Sequence, residues 1–255
     1  TPDDWDGDGS GVVGGGAGTW DTTLLRWSTT PGGSTYQAWV NANVDSAIFG
    51  GTGGAITLGG PITVNLITTT VSGYSIGNGN GFATAANTLV FSGADAGVNT
   101  THVTGTTTLT AYLNGVTLTK SGPGRLQLDN SANSATNKYV LKGGALTAAA
   151  PSRFGAPGSL VQDFFTFDGG GLGANTTTSY DLGANRGVTV LAGGAFFGAT
   201  ANTVITTIGA PIVGSAGGNV TMTSGGVFTG SAHTSGGILV LGNTGNSWDG
   251  NLILS

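Results

Sequence analysis

Val116-Thr117-Leu118-Thr119-Lys120-Ser121-Gly122-Pro123-Gly124-Arg125-Leu126-Gln127-Leu128 is the stretch on which the fold turns. Val116 and Leu118 alternate with Thr117 and Thr119, and after a Ser-Gly-Pro-Gly break Leu126 and Leu128 alternate with Arg125 and Gln127. A period of two marks a strand with one buried face. The glycines supply the positive φ that a tight turn demands. The grammar is therefore strand, turn, strand. It returns at Lys142-Gly143-Gly144-Ala145-Leu146-Thr147, and the Gly-Gly-small-apolar unit recurs at 53–57, 193–197 and 225–229.

Outward from there, short apolar runs continue in both directions: 47–49, 55–58, 62–67, 88–91, 107–113, 139–141, 164–167, 188–191, 195–197, 204–208, 220–223, 227–229, 238–241 and 251–254. Many short strands with even turns fit two architectures, an antiparallel β-sandwich or a parallel β-helix of stacked coils, also called a β-solenoid. The repeated unit favours the β-helix, because coils that stack reuse the same corner and face residues. About 20–25 residues per coil predicts nine or ten coils, a rod on the order of 45 Å at strand spacing. Residues 1–45 differ in texture, holding Trp5, Trp20, Trp27 and Trp39 and six of the twelve Asp. They read as an N-terminal cap or junction segment, with 46–255 as one continuous repeat region.

Composition removes other classes. The 255 residues include 50 Gly and 40 Thr, no Glu, three Lys and four Arg, so the Glu and Lys that solvate helix faces are almost missing. With 38% hydrophobic residues the chain carries enough apolar surface for a core. No run approaches the roughly 18 apolar residues of a membrane-spanning helix. The absence of cysteine excludes disulfides, thiolate zinc sites and Cys nucleophiles. A net charge of −5 with dispersed cations argues against a nucleic-acid partner. The chain begins at Thr1, and a removed export leader is the expectation.

The quoted stretch, Leu118 to Leu128 and on to Leu146, resembles the L-T-K-x-G-x-G-x-L-x-L … G-x-L repeat of autotransporter-associated β-strand repeat proteins. The opening is similar to the same family: Trp5-Asp6-Gly7-Asp8-Gly9, Trp20, Trp27, Ala47-Ile48-Phe49, Ile56-Thr57-Leu58 and Ile62-Thr63-Val64. Residues 238–254 match a further unit and stop where a next Gly-x-Leu strand would begin. The resemblance implies a right-handed parallel β-helix in an exported bacterial passenger, outside the cell or on its surface.

Residues with chemical potential are few. Asp4-x-Asp6-x-Asp8-Gly9 matches the first half of a calcium loop, making Asp4, Asp6 and Asp8 candidate Ca²⁺ ligands, but Gly15 stands where the loop would need Glu. An acidic turn is the competing reading. His102 and His233 lack a nucleophile elbow and read as exposed turn or face residues. A polysaccharide lyase or hydrolase would need clustered Asp with a base, for which Asp163 and Asp168 near Arg153, or Asp129 near Arg125, are the candidates. Glycine strings at 14–16 and 169–171 lack a following Lys-Thr and read as turns. The adjacent pairs Phe164/Phe165 and Phe196/Phe197 must point to opposite faces of a regular strand, leaving one of each outside or under a loop.

The expectation is a non-enzymatic extracellular rod without a resident cofactor, Ca²⁺ excepted. It would assemble with itself head to tail through Trp5, Trp20, Trp27 and Trp39 at one end and Trp248, Leu252 and Leu254 at the other. The alternative is an adhesin or glycan-binding passenger of a bacterial surface protein, which outward aromatics beside Asp or Asn would support. A β-helix polysaccharide enzyme stands third.

Overall fold

The computed structural model describes residues 2–30, 32–175, 179–199, 204–222 and 237–254. The strand expected at 227–229 and His233 lie outside these residues. Among the described residues the chain forms 28 strands and three short 3-10 helices.

Local pattern and sheet topology agree at the quoted stretch. Thr117–Ser121 and Arg125–Leu128 are both strands, with Leu118, Lys120, Leu126 and Leu128 buried. Gly122 lies between them at φ +75°. The two strands do not pair with each other. Thr117–Ser121 belongs to a twelve-stranded sheet and Arg125–Leu128 to a ten-stranded one. Lys138–Leu141 then returns to the first sheet and Ala145–Ala148 to the second, both in parallel register with their predecessors.

This alternation runs along the chain and builds columns of inward residues. In the first sheet Asp3 stands opposite Ala47, Ala47 opposite Ile67, Ile67 opposite Val98, and Val98 opposite Lys120. Lys120 is followed by Leu141, Phe167 and Val190. In the second sheet Leu126, Leu146, Leu172, Phe197, Met222 and Leu254 form one column. Two three-stranded parallel sheets, 62–64 with 88–91 and 112–113, and 180–181 with 205–208 and 238–241, add further sides. The parallel register rules out the antiparallel sandwich, whose strands would pair with their chain neighbours through hairpins.

Turns stack as the strands do. Gly144 has φ +58°, and a Cβ there would run into the carbonyl oxygens of Gly124 and Gly122 in the preceding turn. Only glycine permits both the left-handed backbone and this approach.

The aromatic-rich segment supplies the first strands of both large sheets. Pro2–Trp5 pairs in parallel with Ser46–Phe49, and Gly18–Trp20 with Ala55–Leu58. Trp27–Ser28 then runs antiparallel to Pro2–Trp5, and Tyr36–Gln37 antiparallel to Trp27–Ser28, ending the first sheet.

One expectation of alternation fails in a regular way. Phe164 and Phe165 are both fully buried, because a register shift between Val161 and Phe165 breaks the period of two. Phe164 packs on Tyr139 and Phe165 with the Arg186 guanidinium 5.8 Å from its ring centre. Phe196 is half-buried and Phe197 fully buried, as alternation requires.

The column in the second sheet supplies a direct test. Leu126 is fully buried and Leu254, in the same column, is 77% exposed. Leu126→Ala is expected to cost about 2–5 kcal/mol, and Leu254→Ala to stay within about 0.5 kcal/mol. Urea unfolding followed by far-ultraviolet circular dichroism checks both.

Candidate functional residues and surfaces

The four tryptophans of the first segment form one cluster. Trp27 lies 5.0 Å from both Trp5 and Trp20 and 4.8 Å from Trp39, centre to centre, and Phe49 closes the group. Trp5 Nε1 donates to the Gly16 carbonyl and Trp39 Nε1 to that of Thr63, each at 3.0 Å. All four rings are buried, none more than 1% exposed. Trp5, Trp20, Trp27 and Trp39 are thus core residues rather than the contact surface expected of them, because the hydrophobic effect favours packing these rings on each other. At the other end of the described chain Trp248 is half-buried and Leu252 and Leu254 are exposed.

Asp4, Asp6 and Asp8 do not gather as one group of three, although the Asp6 and Asp8 side chains interact. Asp4 sits in its strand opposite Ser28 and Ile48. Asp6 is buried and caps its own turn, Oδ1 accepting from Gly9 N at 3.2 Å and Oδ2 from Gly11 N at 3.0 Å. Asp8 Oδ1 accepts from Ser10 N at 2.9 Å, which holds its pKa below the usual carboxylate range, with Arg26 adding a smaller push. Among the described residues no group of three or more His, Asp, Glu or Cys gathers to hold a metal ion. The sequence motif is met here by backbone N–H groups.

The charges named for a hydrolytic groove form separate pairs. Arg153 reaches Asp129 at 3.4 Å, whereas Asp163 pairs with Lys138 at 2.7 Å on the surface. Asp168 Oδ1 accepts from Gly193 N. Arg125 donates to Thr106 Oγ1.

Two bases are buried, one unmarked in the sequence reading and one expected at the surface. Lys120 occupies an inward column position and is fully buried, donating to the carbonyls of Ser121, Gly122 and Gly143 at 2.7, 2.9 and 3.0 Å. Burial pushes its pKa down to about 7. The three carbonyls oppose that shift, because they match the three N–H donors of the ammonium form. His102 is buried rather than exposed as expected. Its Nδ1 lies 3.0 Å from the Thr104 carbonyl and its Nε2 3.0 Å from Thr107 Oγ1, which is 2.9 Å from Thr69 Oγ1. A carbonyl only accepts, so these partners assign the proton to Nδ1, and in the neutral ring Nε2 accepts from Thr107. Both bases serve the turns between sheets, and alternation alone could not show that their partners are backbone groups and hydroxyls.

One outer surface is a stack of loops. The circuit between Ile67 and Val98 carries a loop at 77–87 with Phe82 at 53% exposure. Asn80 Oδ1 accepts from Ser131 N at 2.9 Å and from Arg153 Nη1. Asn130 Oδ1 accepts from Gly81 N at 3.2 Å, its Nδ2 donates to the Phe82 carbonyl at 3.2 Å, and Asn133 Nδ2 donates to the Arg153 carbonyl at 2.8 Å. Loops from three of four successive circuits are thereby tied together, with an aromatic ring outward.

Comparison with known proteins bears on this arrangement. No protein-family model matches the chain, and no solved structure matches it. The chain is similar to "Adhesin BmaC autotransporter" of Brucella suis biovar 1 (strain 1330), with 36% identity over 197 residues. The match covers 76% of this chain and 5% of that protein, so the chain spans a small part of its relative's length. The sequence is related to an autotransporter adhesin. Among the described residues no helix is long and apolar enough to cross a membrane.

His102 sets a pH dependence. Burial, then the positive charge of Lys120, lowers its pKa below 6.5, while the Thr104 carbonyl opposes them. The unfolded chain therefore binds the proton more readily, and this contribution to stability is present above about pH 6.5 and lost as pH falls through the folded value. The urea midpoint of the wild type is expected to drop between pH 7 and pH 5 by more than that of His102→Gln, which lacks the titrating ring and keeps hydrogen-bonding groups.

Proposed function

We propose that this chain is a segment of a parallel β-helical passenger from an exported bacterial surface protein, and that it acts as a non-enzymatic adhesin module. In this reading residues 1–45 close one end as a cap and 46–255 form the continuous helix. The observation that carries the functional part is the 36% identity to an autotransporter adhesin over 76% of the chain. The parallel columns, each strand returning to the same sheet about one circuit later, support the β-helix. The adhesin reading is better supported than a self-assembling fibre, since the similarity is to an adhesin and the tryptophans expected at a junction are buried.

The loop stack around Phe82 is the surface this reading favours. An exposed aromatic ring beside Asn80 and the Arg153–Asp129 pair offers an apolar platform with polar groups at its margin. Such a combination suits a surface glycan, whose apolar ring faces stack and whose hydroxyls hydrogen-bond.

Beads coated with the purified chain should bind cultured host cells saturably and be displaced by the soluble chain. Phe82→Ala should reduce that binding several-fold with thermal stability unchanged. Beads that bind no better than uncoated ones, together with fibres in electron micrographs, would favour assembly over adhesion.

A further inference from the structure

A notch opens in the outward face of the twelve-stranded sheet. Val98 points inward, so its neighbour Gly97 takes an outward position, in a row between Leu66 and Thr119. Gly97 brings no side chain to that row, and a Cβ there would collide with the Thr119 carbonyl. Here lies a cleft of about 230 Å³ lined by Leu66, Ala94, Asp95, Thr119, Ser121 and Lys142. The turn that carries Asp95 is held in place. Asn65 Oδ1 accepts from Asp95 N at 3.0 Å, the Asn65 carbonyl from Gly97 N at 3.1 Å, and the Ala96 carbonyl from Thr119 N at 3.1 Å. On the other rim Lys142 N donates to the Lys120 carbonyl at 2.9 Å, and the register of the two strands sets Lys142 beside Ser121. Asp95 and Lys142 are both exposed, and among the described residues neither side chain has an ion pair or a hydrogen bond. Lys138 and Arg153, by contrast, are committed to Asp163 and Asp129, and Lys120 and Arg186 to carbonyls.

We propose that this cleft is a subsite for one neutral pyranose ring of a glycan, sharing no residue with the Phe82 platform. The inference rests on the adhesin reading and names a sugar class for it. A carboxylate only accepts, so Asp95 pairs with sugar hydroxyls, whereas the Lys142 ammonium only donates and meets sugar oxygens. The hydroxyls of Thr119 and Ser121 can do either. Leu66 and Ala94 offer apolar surface to the C–H face of the ring. The two charges cancel, so an acidic or basic sugar that gains from one loses to the other, and a neutral ring gains from both. The volume is below the ~300–1,000 Å³ of sites for drug-sized ligands, which suits a single ring. The fixed turn at Asp95 and the ladder under Lys142 hold the polar groups in place before the sugar arrives.

Nuclear magnetic resonance of the isotope-labelled chain reads the cleft directly. Titration with methyl glucoside, methyl galactoside and methyl mannoside should move the amide signals of Asp95, Gly97 and Lys142 saturably for at least one of the three. Asp95→Ala and Lys142→Met remove side chains that make no hydrogen bond in the fold, and each should weaken that sugar about tenfold, the worth of a hydrogen bond to a charged group. Phe82→Ala should leave the affinity unchanged. Methyl glucuronoside and glucosamine should bind more weakly than the neutral sugar. The proposal is overturned if no neutral glycoside gives saturable shifts, if the shifts persist unchanged in both cleft variants, or if the glucuronoside binds more tightly than every neutral one. Adhesion of coated beads to host cells separates this inference from the reading it rests on. Beads that adhere while no glycoside reaches the cleft overturn the cleft alone, and saturable binding at the cleft without cell adhesion upholds the cleft and overturns the adhesin.

Discussion

Parallel pairing between successive circuits of the chain is the constraint on which everything else depends. Within the parallel sheets, the N–H and C=O groups of an interior strand are satisfied by the strand one circuit earlier and one later, so a side chain stands between two others at the same inward or outward position. Leu126, Leu146 and Leu172 stack because the backbones that carry them are hydrogen-bonded in register. Burying each such leucine contributes about 1.5–3 kcal/mol. The same registration brings turn onto turn, where Gly144 meets Gly122 and Gly124 at a spacing no Cβ would allow.

An inward column tolerates a polar residue only where local groups satisfy it. Lys120 reaches three turn carbonyls, His102 joins Thr107 and Thr69, and the Arg186 guanidinium donates to the carbonyls of Gly155 and Leu182 beside the ring of Phe164. Each sits next to a turn, where the chain leaves the ladder and carbonyls lack strand partners. Asp3 differs from these, because only its Oδ2 meets a donor, the Gln37 amide, and its Oδ1 has no hydrogen-bond partner. A donor among carbonyls, by contrast, is complete by itself.

An interior so committed to shape leaves recognition to the outside. Chain inserted between strands, as in the long circuit from Ile67 to Val98, does not disturb the columns and is free to build loops. The asparagines that bridge three such loops give them a defined surface. The proposed adhesive role suits this division, since the ladder supplies a stiff support and the loops vary at little cost to it.

The sequence by itself determined the all-β class, the stretches that become strands, the glycine turns and the exclusion of helical and cysteine-based chemistry. Period two and turn residues are local properties, legible wherever 117–128 or 145–147 is read. It also carried enough likeness in the L-T-K-x-G unit to suggest an autotransporter passenger. The tertiary structure decided which residues meet. Whether Trp27 faces solvent or Trp5 depends on a strand that folds back antiparallel, and whether Asp6 binds an ion or its own turn depends on the path of residues 9–11. The burial of Phe164 needed a break in register, and the contact of Asp3 with Gln37 needed the chain to fold back. Such contacts join residues tens of positions apart, where local alternation carries no information about distance.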